Sequence, residues 1–259
     1  MLFAHANGFH GLVWAPVARR LKLANRKFSF DFAGHGRSPA PDGHNFGWDG
    51  FGDDVLAVVD ALELDRPIGI GHSLGGASSV LAELKRPGTF RALYLYEPII
   101  SPFAQKVGAE GNQLAQAASR RREVFASREE AYANYAGKAP LSSMTAEALR
   151  AYVEHGFEDL VDGTVRLRCR RDTEAAVFAN SMNHGAYDRL GELTVPVTVA
   201  TGADDGHGPA GWAPPVAQAI PQGVLEPHPD LGHLGPMEDP DAVAAAIEQF
   251  IRNRVTPGA

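Results

Sequence analysis

Cysteine is almost missing from this chain: Cys169 stands alone among 259 residues, which excludes an internal disulfide and fits a reducing, cytoplasmic setting. Its expected role is that of a small buried apolar residue. Long apolar runs are missing too. No stretch approaches the roughly 18 residues that would span a bilayer, and the N-terminus, MLFAHANGFHG, has neither the basic region nor the cleavage site of a secretory leader. Positive charge is in deficit: 24 Lys and Arg against 31 Asp and Glu leave a net charge of −7, which argues against nucleic acid, whose phosphates need a basic face. The histidines lack HxH or HxxxH spacing, so no metal is expected.

What the chain does have is PIGIGHSLGGASSVLAEL, residues 67–84. Pro67–Ile70 is a short apolar run that suits a buried strand, and Leu74, Ala77, Val80, Leu81 and Leu84 recur at helical spacing. A strand passing directly into a helix turns within two or three residues, and Ser73 sits at the tip. Gly71 and Gly75 on either side remove the side chains that would clash in so tight a turn. This is the G-x-S-x-G nucleophile elbow, in which the N–H of Leu74 is unpaired at the helix start and points where an oxyanion would form. A glycine-rich turn whose serine merely caps the helix would share the five-residue pattern, so the rest of the chain has to decide.

Strand-like and helix-like runs alternate along most of the chain. MLFAH precedes a helix expected over 13–23, KFSFD a helix over 48–62, and PIGIG the helix just described. ALYLYE at 92–97, VPVTVATG at 195–202 and GVLEP at 223–227 read as further strands, with helices near 212–219 and 241–254. Strand–helix repetition implies an α/β fold, a mostly parallel sheet flanked by helices. Residues 101–190 differ: they hold 12 Lys/Arg against 12 Asp/Glu, so the remainder carries the whole net charge. They read as mainly helical, with helices at 112–125, 128–136 and 145–155, apart from TVRLRCRRD, which alternates apolar and basic residues at period two. That face is read as solvated, with attraction of an anionic substrate as the other reading.

Ligands of open α/β sheets bind beyond the carboxyl ends of the strands. Those ends deliver His5, Ala6 and Asn7; Asp31; Ser73; Glu97; Asp204 and Asp205; and, through HPDLGH, His233. A serine needs a base to take its proton, a histidine has the suitable pKa, and a carboxylate orients the imidazole. Ser73, Asp205 and His233 follow the serine–acid–histidine order associated with this elbow. His72 is read as packing beside the elbow, and His228, flanked by prolines, as part of a rigid loop.

FDFAGHGRS, GHSLGG, GADD and GHLGPMEDP, in this order and spacing, resemble the α/β-hydrolase superfamily over nearly the whole chain. The resemblance implies an α/β-hydrolase core at 1–100 and 191–259 with an inserted helical lid at 101–190. It places the acid three residues after Gly202, at Asp205, with Asp204 and Glu97 as alternatives. It makes Asn7 the second oxyanion donor, in a loop where Ala6 stands in place of the family's usual glycine. Phe9 and Trp14 are the expected pocket residues by position, with lid aromatics such as Phe103, Phe125, Tyr132, Tyr135, Tyr152, Phe157, Phe178 and Tyr187 as further candidates. The family also has strands ahead of the one read at MLFAH, which implies an N-terminal extension, or else an open sheet edge that invites a homodimer. The expected activity is that of a cofactor-free serine hydrolase acting on a small-molecule ester or related acyl bond. Carbon–carbon bond hydrolase, lactonase and perhydrolase are alternatives, and a non-catalytic ligand receptor is the alternative from another class.

Overall fold

Apolar runs bounded by glycine and proline become strands, and the amphipathic runs between them become helices. The computed structural model describes residues 1–41, 43, 46–103, 112–204 and 208–255. The first elements in chain order are β1 (Leu2–Ala4), α1 (Ala15–Arg20), β2 (Phe28–Ser29), α2 (Trp48–Ala61), β3 (Ile68–His72), α3 (Leu74–Lys85) and β4 (Ala92–Tyr96). Next come α4 (Gln113–Ser119), β5 (Val124–Phe125), α5 (Arg128–Ala136), α6 (Ala146–Gly156), β6 (Phe157–Asp159), β7 (Val165–Leu167) and α7 (Arg171–Ala179). The chain closes with β8 (Val197–Thr201), α8 (Gly208–Ala219), β9 (Gly223–Pro227), α9 (Gly235–Glu238) and α10 (Pro240–Arg254).

Six strands pair in the order β2-β1-β3-β4-β8-β9, every pairing parallel. Parallel strands need helical crossovers, and these cover both faces, so β3, β4 and β8 are buried along their whole length. Alternate residues feed two cores. Leu93, Leu95, Val197 and Val199 join Phe51, Val55 and Leu81 of α2 and α3 on one face. Tyr94, Tyr96 and Ala200 join Val17, Ile247 and Phe250 of α1 and α10 on the other. The second of these cores also takes in Phe125, Tyr135, Tyr152 and Phe157, so the segment between β4 and β8 is packed into the same apolar mass.

That segment holds its own antiparallel sheet, β5-β7-β6. The period-two run is β7, with Val165 and Leu167 buried; Arg166 pairs with Glu158 at 2.6 Å and Arg170 with Glu123 at 2.6 Å. The helix expected over 112–125 ends at Ser119, because Phe125 is drawn into β5 to pack on the rings of Tyr135 and Phe157. The helix expected over 13–23 begins as a 3-10 turn at Gly11–Trp14 and reaches only Arg20, with Pro16 in the first turn of α1, where its missing N–H costs nothing. Helix α7 had no clear sequence signal; a buried Glu174 in its first turn breaks an otherwise apolar face. Among the described residues no helix is long and apolar enough to cross a membrane.

Candidate active site

β3 ends at His72 and α3 begins at Leu74, so Ser73 alone makes the turn. It does so at φ 56°, in the left-handed region that side chains disfavour, and the surroundings hold it there. Ser73 N–H donates to the oxygen of Tyr96 (3.0 Å), and its own oxygen accepts from Ala77 (3.1 Å) and Ile99 (3.3 Å). The flanking glycines are required by contact. A Cβ on Gly71 would lie 2.6 Å from the oxygen of Gly75, and one on Gly75 would lie 2.2 Å from the oxygen of Ala4 in β1.

His233 lies in the loop before α9, its side chain 39% exposed, and it lines the same cavity as Ser73. Its Nδ1 is 2.5 Å from Oε2 of Glu97, the residue that follows β4. Glu97 is 2% exposed and itself takes positive φ (42°). Its other oxygen accepts from the N–H of Gly202 (2.8 Å) and the hydroxyl of Thr201 (3.3 Å) at the end of β8. A buried carboxylate needs such donors, and here they also aim it. The expected acid, Asp205, lies outside the described residues; Asp204 is exposed. The carboxylate that the described structure sets against His233 thus comes from the end of β4. It preserves the serine–acid–histidine chain order.

The other histidines near the elbow are occupied elsewhere. His72 is fully buried and its Nε2 is 2.7 Å from the backbone oxygen of His233, tying the histidine loop to the elbow. Burial pushes the His72 pKa well below its ordinary value, so this tie is made by a neutral ring donating Nε2–H. His228 sits 3.0 Å from Glu226 and 3.3 Å from the Tyr94 hydroxyl. Cys169 is buried, and burial raises its thiol pKa, so it is no nucleophile. Among the described residues no three His, Cys, Asp or Glu side chains cluster as a metal site.

A cavity of about 610 Å³ opens over Ser73 and His233. Ala6 and Asn7 line it at the loop after β1, so the backbone expected to supply an oxyanion donor is beside the serine. The Asn7 side chain points away from that role: Nδ2 donates to the backbone oxygen of Glu174 (3.0 Å), and Oδ1 is 3.1 Å from His35 Nε2. Phe9 lines the cavity as expected, and so do Tyr135, Tyr152 and Phe178 from the intervening segment. Trp14 requires correction. It is 1% exposed, donates Nε1–H to the oxygen of Ala4 (3.2 Å) and packs on Phe3 and His72, because the 3-10 turn directs it down onto β1. Phe125 and Phe157 are core residues of the same kind, and Phe103 is 63% exposed.

Two lining residues had no sequence signal. Arg121 and Glu174, far apart in the chain, form an ion pair at 2.8 Å with side chains only 16% and 11% exposed. Each looked like one more charge in a balanced, helical stretch. Only packing α4 and α7 together marks them.

Comparison with known proteins agrees with this architecture. The family model described as "Alpha/beta hydrolase family" matches residues 1–246. The chain is 24% identical to a 2-(acetamidomethylene)succinate hydrolase of Mesorhizobium japonicum over 97% of its own length and 87% of the relative's. It is 22% identical to 3-oxoadipate enol-lactonase 1 of Acinetobacter baylyi over 98% and 88%. Among solved structures, the peroxisomal alpha-beta-hydrolase Lpx1 of Saccharomyces cerevisiae superposes with a TM-score of 0.83 at 20% identity, over all of this chain and 77% of that one. The chain belongs to the alpha/beta hydrolase family, and it is a hydrolase.

Proposed function

We propose that the protein hydrolyses a carboxylic ester or related acyl bond of a small molecule through an acyl-enzyme on Ser73. The observation that carries this reading is the pairing of His233 Nδ1 with the buried carboxylate of Glu97, with Ser73 and His233 on one cavity. Glu97 holds the imidazole with Nδ1–H toward itself, leaving Nε2 as the base. His233 takes the Ser73 proton as Oγ attacks the acyl carbon, then returns it to the leaving group. Water repeats the sequence and frees the acid. The backbone N–H groups of Leu74 and Asn7 receive the negative oxygen of each tetrahedral intermediate, each donor being worth about 2.7–4 kcal/mol. Residues 101–190 act as a lid that supplies the outer wall of the cavity to a core made of 1–100 and 191–259.

The relatives support the width of the bond class. One is named for a lactone and one for an acetamido compound, and both are small acyl substrates. The test is hydrolysis of p-nitrophenyl esters from acetate to decanoate, together with labelling by a fluorophosphonate, using wild type and Ser73→Ala. The expected result is a burst of nitrophenol and a label, both lost in Ser73→Ala. A folded wild type that neither turns over any ester nor takes the label would overturn the reading and favour a binding protein on the same scaffold.

A further inference from the structure

The cavity wall carries a polar group that the apolar remainder does not explain. Phe9, Ile99, Leu114, Leu141, Phe178 and Leu234 make most of the lining hydrophobic. Into this lining the protein places the guanidinium of Arg121, stacked over the rings of Tyr135 (5.2 Å) and Tyr152 (5.8 Å). Nη1 donates to Oε2 of Glu174 at 2.8 Å and Nη2 to the hydroxyl of Tyr152, which in turn donates to the oxygen of Gly8 at 3.3 Å. Two bonds leave a five-donor group incompletely used, and Arg121 lines the cavity.

Tyr135 also lines this cavity. It is 5% exposed, and its hydroxyl oxygen is buried with no hydrogen-bond partner in the protein. Leaving a buried hydroxyl unpaired costs about 1–3 kcal/mol, and a ligand oxygen would remove that cost. The charge count then selects the ligand. Arg121 is balanced by Glu174 and Arg122 by Glu130 at 2.8 Å. Lys138 on the same wall bonds Asn134 Oδ1 at 2.6 Å and has no carboxylate partner among the described residues, so one positive charge is uncompensated.

We infer that Arg121, Tyr135 and Lys138 form a subsite for a carboxylate carried by the acid part of the substrate, making the substrate a monoester, or related monoacyl derivative, of a short dicarboxylic acid. The inference rests on the acyl-hydrolase reading only for the position of the scissile bond. The acid is short because the subsite touches the oxyanion loop: Tyr152 links Arg121 to Gly8, and Asn7 bonds the backbone of Glu174. Burial alone would depress the Arg121 pKa, but the Tyr152, Glu174 and Tyr135 groups around it hold it well above the ordinary value, so the cation persists at every working pH.

The test separates binding from turnover. Calorimetry on Ser73→Ala compares monomethyl glutarate with methyl valerate, its neutral counterpart, and the wild type is assayed for hydrolysis of both. Tyr135→Phe, combined with each, removes a hydroxyl that bonds nothing in the protein and so spares the fold. The expected result is at least tenfold tighter binding of the glutarate monoester, a matching preference in kcat/KM, and about a tenfold loss of that preference in Tyr135→Phe. Equal or weaker binding of the glutarate monoester overturns the subsite, whether or not the esters are hydrolysed. So does a preference that survives Tyr135→Phe undiminished. Tyr135-dependent binding without turnover of either ester keeps the subsite and, where Ser73 also takes no fluorophosphonate label, overturns the hydrolytic reading.

Discussion

The sheet beneath the cavity holds Ser73 and Glu97 by backbone, each just beyond a buried parallel strand and each at positive φ, whereas the wall from the intervening segment, here the facing wall, holds Arg121 and Tyr135 by side-chain contacts between short helices. The difference follows from the elements each wall is made of. On the proposed reading, a nucleophile and the carboxylate that orients its base need placement within roughly 0.5 Å, which interlocked strands and glycine contacts supply. The segment between β4 and β8 adds ion pairs of its own, such as Arg166–Glu158 and Arg170–Glu123.

Four predictions test this division, beginning with the largest effect. Glu97→Gln leaves the shape of the sheet wall intact but removes the charge that orients His233, so kcat should fall by roughly 10⁴. Asp204→Asn and Asp205→Asn should stay within a few-fold of wild type in the same assay. A collapse of activity in Asp205→Asn with Glu97→Gln active would move the acid to the end of β8. Next, Trp14→Ala opens the core beneath β1 and should cost about 3–5 kcal/mol in urea unfolding; a changed KM at unchanged stability would return Trp14 to the pocket.

The third prediction concerns pH. Burial lowers the pKa values of His5, His10, His35 and His72, that of His10 to about 4. In the unfolded chain each titrates near 6.5. Between those values the unfolded state binds more protons, so stability is full above about pH 6.5 and falls as pH drops, by up to about 1.4 kcal/mol per pH unit for each histidine. The urea midpoint at pH 5 should therefore lie well below that at pH 7, and an unchanged midpoint would mean that these rings are not buried neutral. The smallest effect belongs to the facing wall: Arg166→Ala removes a partly exposed pair and should change stability by less than about 1 kcal/mol. A loss as large as that of Trp14→Ala would show the two walls to be held alike.

The elbow was legible because its constraints are local. A strand, one serine and a helix within a few residues leave the flanking positions room only for glycine, and the contacts at Gly71 and Gly75 bear this out. Leu74 as the helix start was legible for the same reason, whereas Asn7 rested on the family resemblance. The acid was not. Asp205 and Glu97 both follow apolar strands, and nothing within either stretch says which reaches the imidazole. The pocket was legible only in its aromatic content: Phe9, Tyr135, Tyr152 and Phe178 line it, but Trp14, Phe125 and Phe157, of the same residue types, belong to the core.

From residue order alone, then, came much of what periodicity and tight turns control: the parallel α/β fold, the glycine-flanked turn at Ser73 and the period-two alternation of the arginine run. Folding in three dimensions added what depends on contacts between distant residues. The Glu97–His233 pair spans 136 positions and the Arg121–Glu174 pair 53. Such pairs depend on how strands and helices cross, and a carboxylate or a guanidinium carries no mark of its partner until packing removes the water between them.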